Sequence, residues 1–141
     1  MEKLLHETTQ TTIVNNHELT NKHSDIYEEI ITILEKEKPY CNPDFNIAQL
    51  ATTINSNVTY ISKAINIKAN TNFNTLVNTY RVNYIEAMLK NGYHKKYTIR
   101  HIYSAAGFKH QTTFNKVFKQ IRGITPSEYI RDLDKILSEH K

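Results

Sequence analysis

Gly107-Phe108-Lys109-His110-Gln111-Thr112-Thr113-Phe114-Asn115-Lys116-Val117-Phe118-Lys119-Gln120-Ile121-Arg122-Gly123-Ile124-Thr125-Pro126-Ser127-Glu128-Tyr129 is the stretch that decides the fold. Phe114, Val117, Phe118 and Ile121 recur at three- and four-residue steps, the period of one buried helical face. Gly123 is a stop. Thr125-Pro126-Ser127-Glu128 then joins an N-cap threonine, proline at the first helical position and glutamate at the third, which together open a closing helix through Tyr129, Ile130, Leu133 and Leu137. Upstream, Thr98 starts a short helix with Ile99 and Ile102, and Gly107 interrupts it. Two short helices across a tight turn predict a helix-turn-helix unit.

The pattern occurs twice. Asn46 and Gln49 have capping-box spacing and open a short helix with Ile47, Leu50, Ala51 and Ile54 inward. Asn55-Ser56-Asn57 breaks it, and a second helix runs from about Val58 to Lys68 with Ile61, Ala64 and Ile65 inward and Asn57 as its cap. Ile47, Leu50, Ile54 and Asn55 fall over Ile99, Ile102, Ala106 and Gly107 at an offset of 52, and Ile61, Ala64 and Ile65 over Phe114, Val117 and Phe118 at an offset of 53. Between the copies, Phe73, Leu76, Val77, Tyr80, Tyr84, Ala87 and Met88 trace one stripe of a connecting helix, residues 73–90, ended by Asn91-Gly92. Its length of about 27 Å, set against the ~34 to 36 Å repeat of the major groove, would let the second helix of each unit enter adjacent grooves, or bend the DNA slightly to do so.

Ahead of the first unit, Ser24 or Asp25 is expected to cap a helix with Ile26, Ile30, Ile33 and Leu34 on one face, stopped by Pro39. Residues 1–23, rich in Thr, Asn, Glu and His without an apolar period, read as a polar tail or linker. The expected fold is therefore all-α, with about seven helices. Two helix-turn-helix units, about 24–70 and 98–138, are joined by a long linker helix within a domain spanning 24–138.

Charge is distributed unevenly. Residues 1–46 carry 4 basic and 9 acidic side chains, whereas residues 81–131 carry 10 basic and 2 acidic, and residues 47–80 add Lys63 and Lys68. A basic C-terminal two thirds fits attraction to a polyanion through counterion release, although charge by itself fits a solvated surface equally well. Cys41 is the only cysteine, which excludes an intrachain disulfide and a cysteine zinc cluster and fits a reducing cytoplasm. His94, His101 and His110 lack metal-ligand spacing. No Gly-rich phosphate loop, catalytic carboxylate pair or activated nucleophile is present, so neither an enzyme nor a cofactor is expected. No apolar run reaches membrane length, and Met1 to Asn16 lacks the features of a signal peptide, so no membrane contact is expected.

In order and spacing, Gly107-Phe108, Phe114-Asn115-Lys116-Val117-Phe118-Lys119 and Gly123 through Tyr129 resemble the signature of the AraC/XylS family of bacterial regulators. The similarity extends from about Asp44 to Asp132, more loosely in the first half through Leu50-Ala51, Tyr60-Ile61-Ser62-Lys63, Phe73 and Tyr80-Arg81. Asn55 and Asn70 stand where that family commonly has glycine, Tyr103 where it has a small alanine, and Ile85 where it has a small residue. Ala105 and Ala106 are expected to make room for Tyr103. The resemblance implies a C-terminal DNA-binding domain that regulates transcription, with duplex DNA as partner, alongside RNA polymerase and a sensor domain or second copy of the chain.

From the helical period, Thr59, Ser62, Lys63 and Asn66 face away from the core in the first unit, as do Lys109, His110, Gln111, Thr112, Asn115, Lys116 and Lys119 in the second. The resemblance implies base or phosphate contacts for Thr59, Ser62 and Lys63, and for His110, Gln111, Thr112, Asn115 and Lys116. Gln111 and Asn115 suit bidentate pairing with adenine, and Lys116 suits guanine or phosphate. Asn66 and Lys119 complete the candidate DNA-binding face. Lys95, Lys96, Arg100, Arg122 and Arg131 are expected near helix ends, where they would position a duplex rather than read it. Arg81, inside the connecting helix, is expected to brace structure. The alternative function is a helical protein-interaction module, whose binding would be insensitive to salt.

Overall fold

The computed structural model describes residues 22–139. Among them are seven α-helices and no strand: α1 (residues 22–37), α2 (Ile47–Ile54), α3 (Val58–Ala69), α4 (Phe73–Lys90), α5 (Ile99–Ala105), α6 (Gln111–Arg122) and α7 (Pro126–Glu139). Short 3₁₀ turns occupy Pro39–Cys41 and Tyr93–Lys95. The polar tail expected over residues 1–23 lies outside the described residues as far as residue 21.

The chain folds as two compact units. One comprises residues 46–73 with α1 up to Lys36, and the other comprises Glu37–Phe45 with residues 74 onward. In the first unit, α1 turns His23, Ile26, Ile30 and Leu34 inward, at steps of three and four, and all are buried. Because α1 is already helical at Lys22, neither Ser24 nor Asp25 caps it, and Ile33 is only half-buried. Lys38 leaves the helix with φ 52°, ahead of Pro39. Leu50 and Ala51 of α2 and Ile61, Ala64 and Ile65 of α3 are buried as expected, with Ile47 and Ile54 half-buried at the margin.

Local chemistry sets the helix ends. The Asn46 side chain accepts from the Gln49 N–H at 2.9 Å, and the Gln49 side chain accepts from the Asn46 N–H at 3.2 Å, so two donors that a helix start leaves free are satisfied together. Asn57 caps α3 through the Tyr60 N–H and Thr98 caps α5 through the His101 N–H, each at 3.0 Å. The Thr125 hydroxyl accepts from the Glu128 N–H at 3.2 Å, with Pro126 at the first position of α7. Asn55 and Asn70 end α2 and α3 in the left-handed conformation, at φ 62° and 52°. Asparagine accepts that conformation more readily than other non-glycine residues.

The second unit is built around Val82, Ile85, Met88 and Leu89 of α4, Ile102 and Tyr103 of α5, Ala106 and Phe108 of the turn, and Phe114, Val117 and Phe118 of α6. Tyr129, Ile130 and Leu133 of α7 pack at its edge. This corrects the single stripe expected along α4. Leu76, Val77 and Met88 are buried, but Ala87 is exposed, while Val82, Ile85 and Leu89, which lie off that stripe, are fully buried. Tyr103 finds its space by stacking on Phe114, with centroids 5.4 Å apart and planes 25° apart. Of the two alanines expected to make room, Ala106 is buried and Ala105 is exposed.

Candidate nucleic-acid interface

The repeat read from the sequence is present as matched helices. α2 and α5 start 52 residues apart, and α3 and α6, each of 12 residues, start 53 apart. Burying Ile61, Ala64 and Ile65 turns Thr59, Ser62, Lys63 and Asn66 of α3 outward, and all four are exposed. Burying Phe114, Val117 and Phe118 does the same for His110, Gln111, Thr112, Asn115, Lys116 and Lys119. Each helix thus carries a row of hydrogen-bonding and cationic side chains on the side opposite its core stripe. α6 has no acidic residue in its first turn, so the positive end of its dipole is uncompensated there.

Ser62, Lys63 and Asn66 share a cavity of about 650 Å³ with His23, Ile67 and Phe73. The His23 ring is 6.4 Å from that of Tyr60, and its Nε2 is buried without a hydrogen-bond partner. The His94 side chain is largely buried and its Nε2 lies 2.8 Å from Asp134 on α7.

What holds α6 in place comes largely from residues distant in sequence. Arg81 of α4 donates from Nε to the Tyr40 carbonyl at 2.8 Å and from Nη2 to the Asn42 carbonyl at 3.1 Å, and its guanidinium lies 5.8 Å from the Phe108 ring centre. Arg81 therefore braces the 3₁₀ turn against the α5–α6 connection, the structural role expected for it. Burial pulls its pKa below the ordinary arginine value, partly offset by the Cys41 thiol. Gly107 sits in this junction at φ 104°, and a Cβ there would collide with the Tyr40 carbonyl oxygen and lie 2.7 Å from Arg81 Nε. Burial likewise pushes the Cys41 thiol up, against the lowering effect of Lys38 and Arg81.

At the other end of α6, Arg122 hydrogen-bonds Glu86 and Asn83 of α4, and Lys90 pairs with Glu86 at 3.0 Å. Burial acts to raise the Glu86 carboxyl, but these partners outweigh it and hold it below its usual range. Arg122 is thus committed within the unit rather than free to position a ligand. Lys109, just ahead of α6, pairs with Asp44 at 2.6 Å. Neither partnership follows from a local pattern.

Among the described residues, no cluster of His, Cys, Asp and Glu is placed to hold a metal ion, and no helix is long and apolar enough to cross a membrane.

A family model described as a helix-turn-helix domain matches residues 50–132. The fold is similar to the C-terminal domain of AraT, a response regulator from Geobacillus stearothermophilus, with TM-score 0.61 and 20% identity over 81% of this chain and 84% of that one. It is also similar to the C-terminal domain of the two-component response regulator yesN from Fusobacterium nucleatum, with TM-score 0.61 and 20% identity over 76% and 96% of the two chains. A DNA-binding transcriptional dual regulator from Escherichia coli K-12 shares the fold with TM-score 0.64 and 16% identity over 78% and 93%. No curated protein sequence matches the chain. The family match over more than half of the chain, the duplicated helix pairs and the shared architecture lead to one assignment: the chain belongs to the helix-turn-helix family of AraC-type DNA-binding domains.

Proposed function

We propose that residues 24–138 bind duplex DNA sequence-specifically as the output module of a transcription regulator, with α3 and α6 each entering a major groove. The observation that carries this reading is the exposed row Gln111, Thr112, Asn115, Lys116 and Lys119 on a helix whose opposite face is fully packed. A reading helix needs both an apolar anchor and short amide, hydroxyl and cationic side chains on its free face. Gln111 and Asn115 are suited to adenine, Lys116 to guanine or phosphate, and Thr59, Ser62, Lys63 and Asn66 form the weaker counterpart on α3. Two of the similar structures are C-terminal domains of response regulators. That favours a sensor elsewhere in the system, with RNA polymerase as the downstream partner and the cytoplasm as the place of action.

Fluorescence anisotropy with a duplex chosen by selection from random DNA, and with its scrambled version, tests the reading across a salt series. Tighter binding to the selected duplex, weakening steeply with salt, is the expected result. Equal affinity for both duplexes removes sequence specificity, and binding insensitive to salt turns the assignment towards a protein-interaction module. Gln111→Ala and Lys116→Ala are each expected to cost about 1 to 3 kcal/mol on the selected duplex. Unchanged binding by both variants removes α6 as a reading helix.

A further inference from the structure

The ion pair between Asp44 and Lys109 lies beside the proposed reading face. Lys109 precedes Gln111, the first residue of α6, by two positions, and both it and its neighbour His110 are exposed. A cation there lies next to the uncompensated N-terminal end of α6, where backbone N–H groups and the helix dipole already favour a phosphate. Yet its Nζ is 2.6 Å from the Asp44 carboxylate. At distances of several ångströms such a pair acts as a dipole rather than as a unit positive charge.

The backbone that carries the carboxylate is held in place by structure. The Asp44 N–H donates to the Asn42 side chain at 2.9 Å, and the Asn42 and Tyr40 carbonyls both accept from Arg81. The segment carrying Asp44 is therefore fastened to α4, and the backbone part of the entropy of presenting the carboxylate is already spent on folding. An incoming phosphate has to compete for Lys109 with an acceptor already in contact.

We propose that Asp44 withholds Lys109 from the DNA backbone and so sets the sequence-independent affinity of the second unit. This inference rests on the DNA-binding reading above and deepens it. Because a phosphate contact is indifferent to sequence, the carboxylate lowers affinity for every duplex by the same factor and leaves discrimination unchanged.

The test uses the full chain as wild type, Asp44→Asn, Lys109→Gln and the double variant, each checked for folding by circular dichroism. Binding is read by anisotropy on the selected and scrambled duplexes between 50 and 200 mM salt, a range of roughly the span over which phosphate contacts dominate. Asp44→Asn should tighten binding to both duplexes about threefold at the lowest salt, in keeping with the modest strength of an exposed pair. It should also steepen the salt slope by about 0.9, the release expected for one additional phosphate contact. Lys109→Gln alone leaves the Asp44 carboxylate uncompensated beside the duplex and should weaken binding to both duplexes, and in the Asp44→Asn background it should return affinity and slope to wild-type values.

The inference is overturned if Asp44→Asn binds like wild type, if the double variant keeps the gain, or if Asp44→Asn leaves the salt slope at its wild-type value. Any of these results, with wild type still preferring its selected duplex, leaves the DNA-binding reading intact. A folded wild type that binds neither duplex overturns both.

Discussion

At the residue scale, the junction of Gly107, Arg81 and Tyr40 concentrates the most structure on the fewest atoms. Gly107→Ala both strains a positive φ and displaces the Arg81 guanidinium from the Tyr40 carbonyl. The expected loss is about 3 kcal/mol, combining backbone strain with a weakened hydrogen bond from a charged group. Gly92→Ala, at φ 79° with nothing near its added methyl, should cost only about 1 to 2 kcal/mol. Urea unfolding of the two variants separates these costs, and equal losses would remove the steric part of the account. Tyr40 offers a second test. Burial, with smaller effects of Cys41, Tyr84 and Tyr80, pushes its phenol up to about 12 from 10.0. Its raised folded-state pKa means that the neutral form stabilises the fold fully below 10.0 and that this contribution is lost as pH rises towards 12. Tyr40→Phe should therefore lose less stability than wild type over that alkaline interval, measured by urea midpoints at successive pH values. Parallel pH profiles would count against a buried neutral phenol.

At the scale of the element, helix starts from α2 onward were legible because capping is a matter of neighbouring residues, whereas the cap expected for α1 at Ser24 or Asp25 was misplaced, since that helix is already formed at Lys22. Asn46, Asn57, Thr98 and Thr125 all cap where their spacing to the third helical N–H predicts. Asn46→Ala should cost about 1 kcal/mol, and a change below a few tenths in chemical denaturation would show that the capping box adds nothing. The faces of α3 and α6 were legible for a similar reason, since a helix with one buried side displays its period openly. α4 was less so. Its burial extends from Leu76 and Val77 to Val82, Ile85 and Leu89, positions that no single stripe joins. Ile85→Ala should accordingly cost about 2 to 5 kcal/mol as a buried truncation. Ala87→Ser, which the stripe read from sequence places in the core, should be nearly neutral. Thermal melts of the two variants distinguish the observed face from the expected one.

At the scale of the whole molecule, electrostatics joins fold to function. Arg122 and Lys90 hold Glu86 ionised below its ordinary value of 4.5. A lowered carboxylate pKa adds stability that is present above the unfolded value and lost as pH falls through the folded one. Glu86→Gln should therefore flatten the acid side of the stability curve below the ordinary carboxylate range, measured by urea midpoints at descending pH. An unchanged acid limb would show the cluster to be idle. The basic bias of residues 81–131 was plain from the sequence, but the number of those cations free for a polyanion was not. Arg81 and Arg122 are spent on internal acceptors and Lys109 faces Asp44.

By itself the sequence determined the two helix-turn-helix units, their caps and breaks, and which residues of α3 and α6 face outward. Each of these depends on interactions within about one helical turn, so spacing alone records them. Tertiary structure decided which face of α4 is buried, why Gly107 must lack a side chain, and which cations remain available around α6. Those outcomes join residues such as Arg81 with Tyr40 and Arg122 with Glu86, 41 and 36 positions apart. No local period connects such pairs, and only chain packing brings their charges and hydrogen-bonding groups into contact.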